Sequence, residues 1–122
     1  MEDMSRTETV VEIARLLDDH LGEDTIALDL GEMNSWTDYF VITTVRSSTH
    51  LGGLLRSLDE YLRERDIDPL SRTGGGSDSG WVLVDCGFCV IHLMSAEMRD
   101  FFSLERLYFR VEAVFHSSSK SS

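Results

Sequence analysis

Two cysteines, Cys86 and Cys89, form the pattern in this chain that most directly suggests a chemically active site. A C-x-x-C spacing serves both zinc sites and thiol–disulfide chemistry. The sequence has neither a second cysteine pair nor a histidine at zinc-finger spacing. Gly87 and Phe88, which separate the cysteines, are typical of a tight turn between two apolar strands. The pattern therefore favours two small buried core residues over a metal or redox centre.

A glycine- and serine-rich segment, GGGSDSG at residues 74–80, superficially resembles a phosphate-binding loop. It lacks the G-K-[S/T] ending of a P-loop, and a strand is predicted after it where a helix would be needed. The chain also lacks the G-x-S-x-G of a nucleophile elbow, and no D-x-D pair of carboxylates lies in a predicted strand. The residues therefore offer few catalytic options, and we expect a flexible loop at residues 73–80 and no cofactor or metal.

Residues 81–94 contain the most informative pattern, two apolar segments on either side of a glycine. If residues 86–87 form a two-residue turn, Trp81 lies opposite His92 in a hairpin, whereas a turn centred on residues 87–88 would break this pairing. Side chains then alternate between two faces, and one face is small and wholly apolar. That face carries Val82, Val84, Cys89 and Ile91. The other carries Trp81, His92 and Asp85 among aliphatic residues, a mixture that suits contact with a partner better than a core.

Three other features of the sequence each leave two interpretations open. His92 is either a structural residue or part of a contact surface, and a lone histidine in an apolar strand favours the structural role. Asp38 either caps backbone donors of a loop or presents its charge to a partner. The aromatic pair Phe101 and Phe102 is more typical of a core than of a contact surface.

Two amphipathic helices are predicted in the first half of the chain. Ser5 and Glu8 form an S-x-x-E capping box, and apolar residues then recur at helical spacing until a helix end near Gly22. A stripe of leucines predicts a second helix over residues 49–65. Residues 96–108 are expected to form one or two short helical turns.

Strands are predicted where aromatic and β-branched residues cluster, at residues 25–30, 39–45, 81–85 and 88–94, with a short edge strand at 70–72. The order of the elements indicates an α+β domain. We expect a mixed sheet of about five strands with two helices on one face. The domain is expected to span residues 5–114, and the serine-rich residues 115–122 are expected to be a disordered tail.

The charge of the chain is one-sided, with 22 acidic residues against 11 basic ones and a net charge of −11. Such a chain repels phosphate backbones, so direct nucleic-acid binding is not expected, whereas a basic protein is a suitable partner. No apolar run reaches the length of a membrane span. The absence of targeting features at the N-terminus, together with free thiols, predicts a cytoplasmic protein.

Three blocks of the sequence resemble the ribosomal silencing factor family, also called RsfS or Iojap. The segment NSWTDYFVI at residues 34–42, with two serines at 47–48, is similar to the family block S-x-x-A/T-D-Y-F-V-I. GWVLVDCG at 80–87, followed by VIHL at 90–93, resembles W-x-x-x-D-x-G…V-V-H-V. RDFFSLERLY at 99–108 is similar to the family ending R-x-F-Y-x-L-E-x-L-W. The blocks are specific as a set, in order and in spacing.

The sequence departs from the family pattern at several positions. Thr44 and Val45 stand where a T-G pair is common, and Met94 often corresponds to phenylalanine. Phe102 replaces the usual tyrosine and Tyr108 the usual tryptophan. The two aromatic changes keep the bulk of the side chain but alter its hydrogen bonding, so we expect them to tune partner affinity without removing the interaction.

The resemblance implies a fold related to nucleotidyltransferases but without their catalytic carboxylates, and hence a binding protein that is not an enzyme. It also implies binding to ribosomal protein L14 of the large subunit, where the bound domain would sterically block the small subunit and repress translation when nutrients are scarce. Homodimers are implied as well, through the same region of the sheet. Two alternatives stay open: a small nucleotidyltransferase-like enzyme, and a general α+β interaction domain with a different partner.

The resemblance carries a partner-binding role to seven residues: Trp81, Asp85, His92, Leu83, Met94, Asp38 and Tyr39. Trp81 would be the apolar anchor, and Asp85 would accept a charge-assisted hydrogen bond from a lysine or arginine of the partner. His92 would pack beside Trp81 and form a hydrogen bond across the interface. Leu83 and Met94 would fill the rim.

Overall fold

The computed structural model describes residues 5–31, 37–74, 80–107 and 111–117. The helices and strands in these ranges are α1 (Arg6–Asp19), β1 (Glu23–Asp29), β2 (Tyr39–Val45), α2 (Ser48–Glu64), β3 (Ser71–Gly74), β4 (Trp81–Asp85), β5 (Cys89–Ser95), α3 (Ala96–Phe102), α4 (Leu104–Leu107) and β6 (Glu112–His116). Within the same ranges, no helix is both long enough and apolar enough to cross a membrane.

Side-chain caps define where the two long helices begin. The Ser5 hydroxyl accepts from the Glu8 N–H at 3.1 Å, and the Glu8 carboxylate accepts from the Ser5 N–H at 3.0 Å. This is the capping box predicted from the sequence, and it satisfies two backbone donors that the first helical turn leaves without partners. At the start of α2, the Ser47 hydroxyl accepts from the His50 N–H at 3.0 Å.

The strands form one mixed sheet in the order β3-β4-β5-β2-β1-β6. β2 and β5 pair in parallel at its centre, and the other neighbouring pairs are antiparallel. The predicted α+β class and mixed sheet are therefore confirmed. The sheet has six strands, one more than expected, because β6 adds to the free edge of β1.

The two faces of the sheet pack against different elements. On one face, α1 and α2 cover the larger core cluster, to which they contribute Val10, Ile13, Ala14, Leu17, Leu51, Leu54, Leu58 and Leu62. This confirms the prediction that two helices cover one face. On the other face, a smaller cluster built on Phe40, Ile42, Val90 and Met94 is joined by Met98 of α3 and Leu104 of α4. Among the described residues, only the short helices α3 and α4 reach this second face, where Trp81 and Leu83 stay partly open to solvent.

Two segments depart from the prediction. Phe115 and His116 were assigned to the tail but belong to β6, and the Ser117 N–H donates to the Thr25 carbonyl at 2.8 Å. Residues 118–122 lie outside the described residues. Thr73 and Gly74 were assigned to the loop but pair with β4 as the end of β3, whereas residues 75–79 of that loop also lie outside the described residues.

Gly22 joins α1 to β1 at a point where the backbone is tightly enclosed. Its N–H donates to the Leu17 carbonyl at 2.8 Å, and a Cβ at Gly22 would lie 2.8 Å from that same oxygen and would overlap the Thr43 hydroxyl. Thr43 is fully buried and shares a 2.7 Å hydrogen bond with the Thr25 hydroxyl. Glycine is therefore required here for close approach.

We expect Gly22→Ala to lower the free energy of unfolding by about 1 to 3 kcal/mol, because the added methyl group overpacks a backbone contact. Gly53→Ala is the matched control. A Cβ at Gly53 meets nothing within 4 Å, so the same change in the middle of α2 should raise stability by about 0.5–1 kcal/mol. Urea denaturation of both variants measures the two effects, and equal effects would contradict the assigned role of Gly22.

Candidate protein-binding surface

The β4–β5 hairpin places its polar and aromatic residues on the open face of the sheet. Trp81 lies opposite Met94, Leu83 opposite His92, and Asp85 opposite Val90. The predicted register, with Trp81 opposite His92, was wrong by two residues.

The cause of the register error is the position of the turn. Gly87 and Phe88 form the connection, with Gly87 at a φ of 88°, and the Asp85 carboxylate accepts from the Gly87 N–H at 2.8 Å. Because side chains alternate with a period of two, a shift of two residues leaves each one on its predicted face. The prediction of one wholly apolar face is confirmed, since Val82, Val84, Cys89 and Ile91 are fully buried against the helices.

A line of aromatic rings runs across the open face from solvent into the core. Its members, from the outside inwards, are Phe101, Phe102, Trp81, His92 and Phe40. Successive ring centroids are 5.0, 4.8, 5.9 and 4.6 Å apart. Phe101 is 77% exposed and Phe102 43%, whereas Phe40 is only 4% exposed. Aromatic contacts at these spacings are favourable, so each ring packs against the next one in the line.

Phe101 and Phe102 correct the expectation that this aromatic pair belongs to the core. α3 ends at Phe102, and Ser103 follows in the left-handed conformation with a φ of 49°. The helix thus stops after two turns, too early to bury two adjacent aromatic side chains against the sheet. Two consecutive aromatic residues cannot both face inwards from a short helix, and this was the signal in the sequence.

An open cleft of about 360 Å³ lies beside these rings and is lined by Thr73, Gly74, Trp81, Leu83 and Met98. We refer to Trp81, Leu83, Phe101 and Phe102 together as the aromatic surface. Trp81 and Leu83 are half-buried, so both contribute area to it. An exposed apolar patch with an adjoining cleft is a feature of protein-binding surfaces.

His92 lies directly beneath the aromatic surface and is 3% exposed. The Trp81 Nε1–H donates to His92 Nδ1 at 3.2 Å. An indole nitrogen can only donate, so His92 is neutral with its proton on Nε2. Burial lowers the pKa of His92 to about 4. His92 is therefore buried, as its structural interpretation predicts, and its contact with a partner stays a prediction. Its Nε2 has no hydrogen-bond partner in the described part of the chain, so this histidine is only half satisfied.

Met94 is fully buried in the cluster of the second face, beneath the aromatic surface. The expectation that it fills a rim therefore does not fit its position, whereas half-buried Leu83 does lie at the surface. Asp85 is half-buried on the same face as Trp81 but at the other end of β4, where one carboxylate oxygen accepts from the Gly87 N–H. Its predicted contact with a basic partner stays a prediction.

Asp38 and Tyr39 are separated from the aromatic surface. Asp38 is exposed, with its carboxylate 3.9 Å from the Arg6 guanidinium, and its side chain is open to a partner. Tyr39 is 9% exposed, lies in the cluster of the helix-covered face and shares a hydrogen bond with the Thr7 hydroxyl. It therefore faces away from Trp81, and its predicted partner contact would need a second surface.

Cys86 and Cys89 are both buried and carry free thiols, as the core interpretation predicted. Across residues 5–31, 37–74, 80–107 and 111–117, no group of three or more histidine, cysteine, aspartate or glutamate side chains is arranged to hold a metal ion.

Comparison with known proteins identifies close similarity to one family. A sequence profile of the family described as "Ribosomal silencing factor during starvation" (RsfS) matches residues 3–121. The ribosomal silencing factor RsfS of Chromobacterium violaceum is 32% identical over 103 residues, which cover 81% of this chain and 84% of that protein. The protein of the same name from Bacillus subtilis is 30% identical over 95 residues, which cover 78% and 80% of the two chains.

The fold is also similar to a solved structure. The crystal structure of a protein from Chromobacterium violaceum superposes with a TM-score of 0.77 at 29% sequence identity, covering 86% of this chain and 88% of the other. The arrangement of helices around the mixed sheet is thus shared over most of both chains.

Proposed function

This chain belongs to the ribosomal silencing factor family, and from that premise we propose that it binds the large ribosomal subunit and prevents the small subunit from joining. The proposed partner is ribosomal protein L14, and the proposed action is steric, because a folded domain on the intersubunit face occupies space that the small subunit needs. Translation in the cytoplasm would be repressed, and no catalytic step is required.

The main support for the proposed site is the solvent-exposed end of the line of aromatic rings. Phe101 at 77% and Phe102 at 43% exposure lie beside half-buried Trp81, and together they present rigid apolar area at little cost in side-chain entropy. Tryptophan is enriched among the residues that dominate interface energies. We propose that Trp81 anchors the partner, with Leu83 beside it and His92 and Met94 supporting it from beneath.

Charge supports the same proposal. The net charge of −11 suits direct contact with the surface of a basic ribosomal protein. Asp85 and Asp38 are the proposed acceptors for lysine or arginine side chains of the partner. We also propose that a homodimer forms through this region of the sheet, which would appear as a concentration-dependent mass in analytical ultracentrifugation.

The proposal is tested by co-sedimentation of the purified protein with isolated large subunits, with small subunits as the control. We expect the protein to pellet with large subunits only. Added free L14 should compete and return the protein to the supernatant. Pelleting with neither subunit would contradict the proposed function, and pelleting that free L14 does not reduce would contradict the proposed partner alone.

A further inference from the structure

The tip of the β4–β5 hairpin brings the two cysteines of the chain face to face. The Cys86 N–H donates to the Cys89 carbonyl at 2.9 Å, with only Gly87 and Phe88 between them. Both side chains join the cluster of the helix-covered face, so they point to the same side of the hairpin. Cα atoms of a hydrogen-bonded antiparallel pair are about 5.5 Å apart, within the range of about 4.4–6.8 Å that a disulfide spans.

The two thiols differ in access and in acidity. Cys86 is 8% exposed at the tip, whereas Cys89 is fully buried. A hydrogen bond from the Cys89 thiol lowers the pKa of Cys86, and the same bond together with burial raises the pKa of Cys89. The more accessible sulfur is therefore also the one more readily present as a thiolate, which is the form that attacks a disulfide.

We propose that Cys86 and Cys89 are a reversible disulfide site. The oxidant is a small disulfide such as oxidised glutathione. The Cys86 thiolate attacks one sulfur of the glutathione disulfide, forms a mixed disulfide and releases one glutathione thiolate. The Cys89 sulfur then attacks the Cys86 sulfur, and its thiol proton passes to the departing glutathione sulfur, which leaves as the second glutathione thiol. The two cysteine sulfurs lose two electrons in total, and the glutathione disulfide gains them.

Closing the disulfide would constrain the tip of the β4–β5 hairpin, which forms hydrogen bonds with other parts of the chain. The Phe88 carbonyl accepts from the Asp38 and Tyr39 N–H groups, each at 3.2 Å, and the Asp85 carboxylate accepts from the Gly87 N–H. The oxidation state of the cysteines would thus affect the position of Asp85 and of the start of β2. The disulfide site does not depend on ribosome binding.

The test is incubation of the folded full-length protein with oxidised glutathione, followed by alkylation and intact mass measurement. We expect a loss of about 2 Da, with both thiols protected from alkylation and restored by dithiothreitol. Cys89→Ala should stop at one glutathione on Cys86, and Cys86→Ala should react much more slowly because its remaining thiol is fully buried.

The oxidation experiment on wild-type protein tests the proposal by itself, so neither cysteine variant needs to fold. Protein that stays reduced at an oxidant concentration that oxidises a small dithiol would overturn it. So would protein that stops at the mixed disulfide or forms only a disulfide between two chains. Circular dichroism before and after oxidation would establish that the reaction takes place in the folded state.

Discussion

Trp81→Ala is expected to weaken binding to the large ribosomal subunit by about thirtyfold or more, which corresponds to about 2 kcal/mol. Trp81 contacts Phe102 at a centroid distance of 4.8 Å and donates to His92, so its truncation removes contact area and also releases the neighbouring rings. The dissociation constant can be measured by fluorescence anisotropy of labelled protein titrated with large subunits.

Two further variants separate lost contact from lost stability. Phe101 is 77% exposed, so Phe101→Ala should reduce affinity while leaving the free energy of unfolding within about 0.5 kcal/mol of wild type. Leu21→Ala is the matched control, because Leu21 is 61% exposed but lies beside α1 and α2 on the other side of the sheet. Unchanged affinity in Trp81→Ala, or an equal loss in Leu21→Ala, would refute the location of the proposed site.

Acidification from pH 6.5 towards pH 4 is expected to destabilise the protein through His92. Burial lowers the pKa of His92 to about 4, below its ordinary value of 6.5, so the unfolded chain binds the additional proton first as the pH falls. The contribution of neutral His92 to the free energy of unfolding is fully present above pH 6.5 and is lost progressively as the pH falls towards 4. The total loss is about 3 kcal/mol.

Local geometry, as well as burial, disfavours the protonated form of His92 in the folded protein. A protonated ring would place an N–H at Nδ1, where the Trp81 indole N–H already points. Nuclear magnetic resonance titration should find that the ring of His92 stays neutral below pH 5, and His92→Gln should identify its signal by removing it. His116→Gln is the control, because His116 is exposed. A titration midpoint near 6.5 for His92 would mean that the ring is solvated.

The parts of the fold that follow from local chemistry were predictable. The S-x-x-E box at Ser5 and Glu8 placed the start of α1, and the aromatic and β-branched run at residues 39–45 placed β2. The alternation of apolar and polar residues along β4 and β5 assigned their side chains to the correct faces. A side chain's face depends only on whether its position in the strand is odd or even, which a two-residue shift does not change. The register was not predictable, since Gly87 fits either position of a two-residue turn and only the Asp85 contact favours the observed one.

The features that depend on long-range packing were missed. The motif around Tyr39 indicated its importance, but only the parallel pairing of β2 with β5 decides that Tyr39 faces the helices. The strand β6 was overlooked because serine-rich sequence follows it, although Val114 and Phe115 pack partly buried against the core. The exposure of Phe101 has a local cause, the end of α3. The adjacent aromatic pair was a signal that one ring faces solvent, but Ser103, which ends α3 in the left-handed conformation, is not a residue type that signals a helix end.

The pairing of β1 with β6 has a consequence for biosynthesis. Of the strands that the structure describes, β1 comes first in the chain and β6 (Glu112–His116) comes last, and the two pair along one edge of β1. Until that segment leaves the exit tunnel, the nascent sheet has an open edge on β1, and open edges can template pairing with other chains. Premature termination before residue 112 would therefore yield a product prone to aggregate, rather than a domain that lacks only a dispensable terminus.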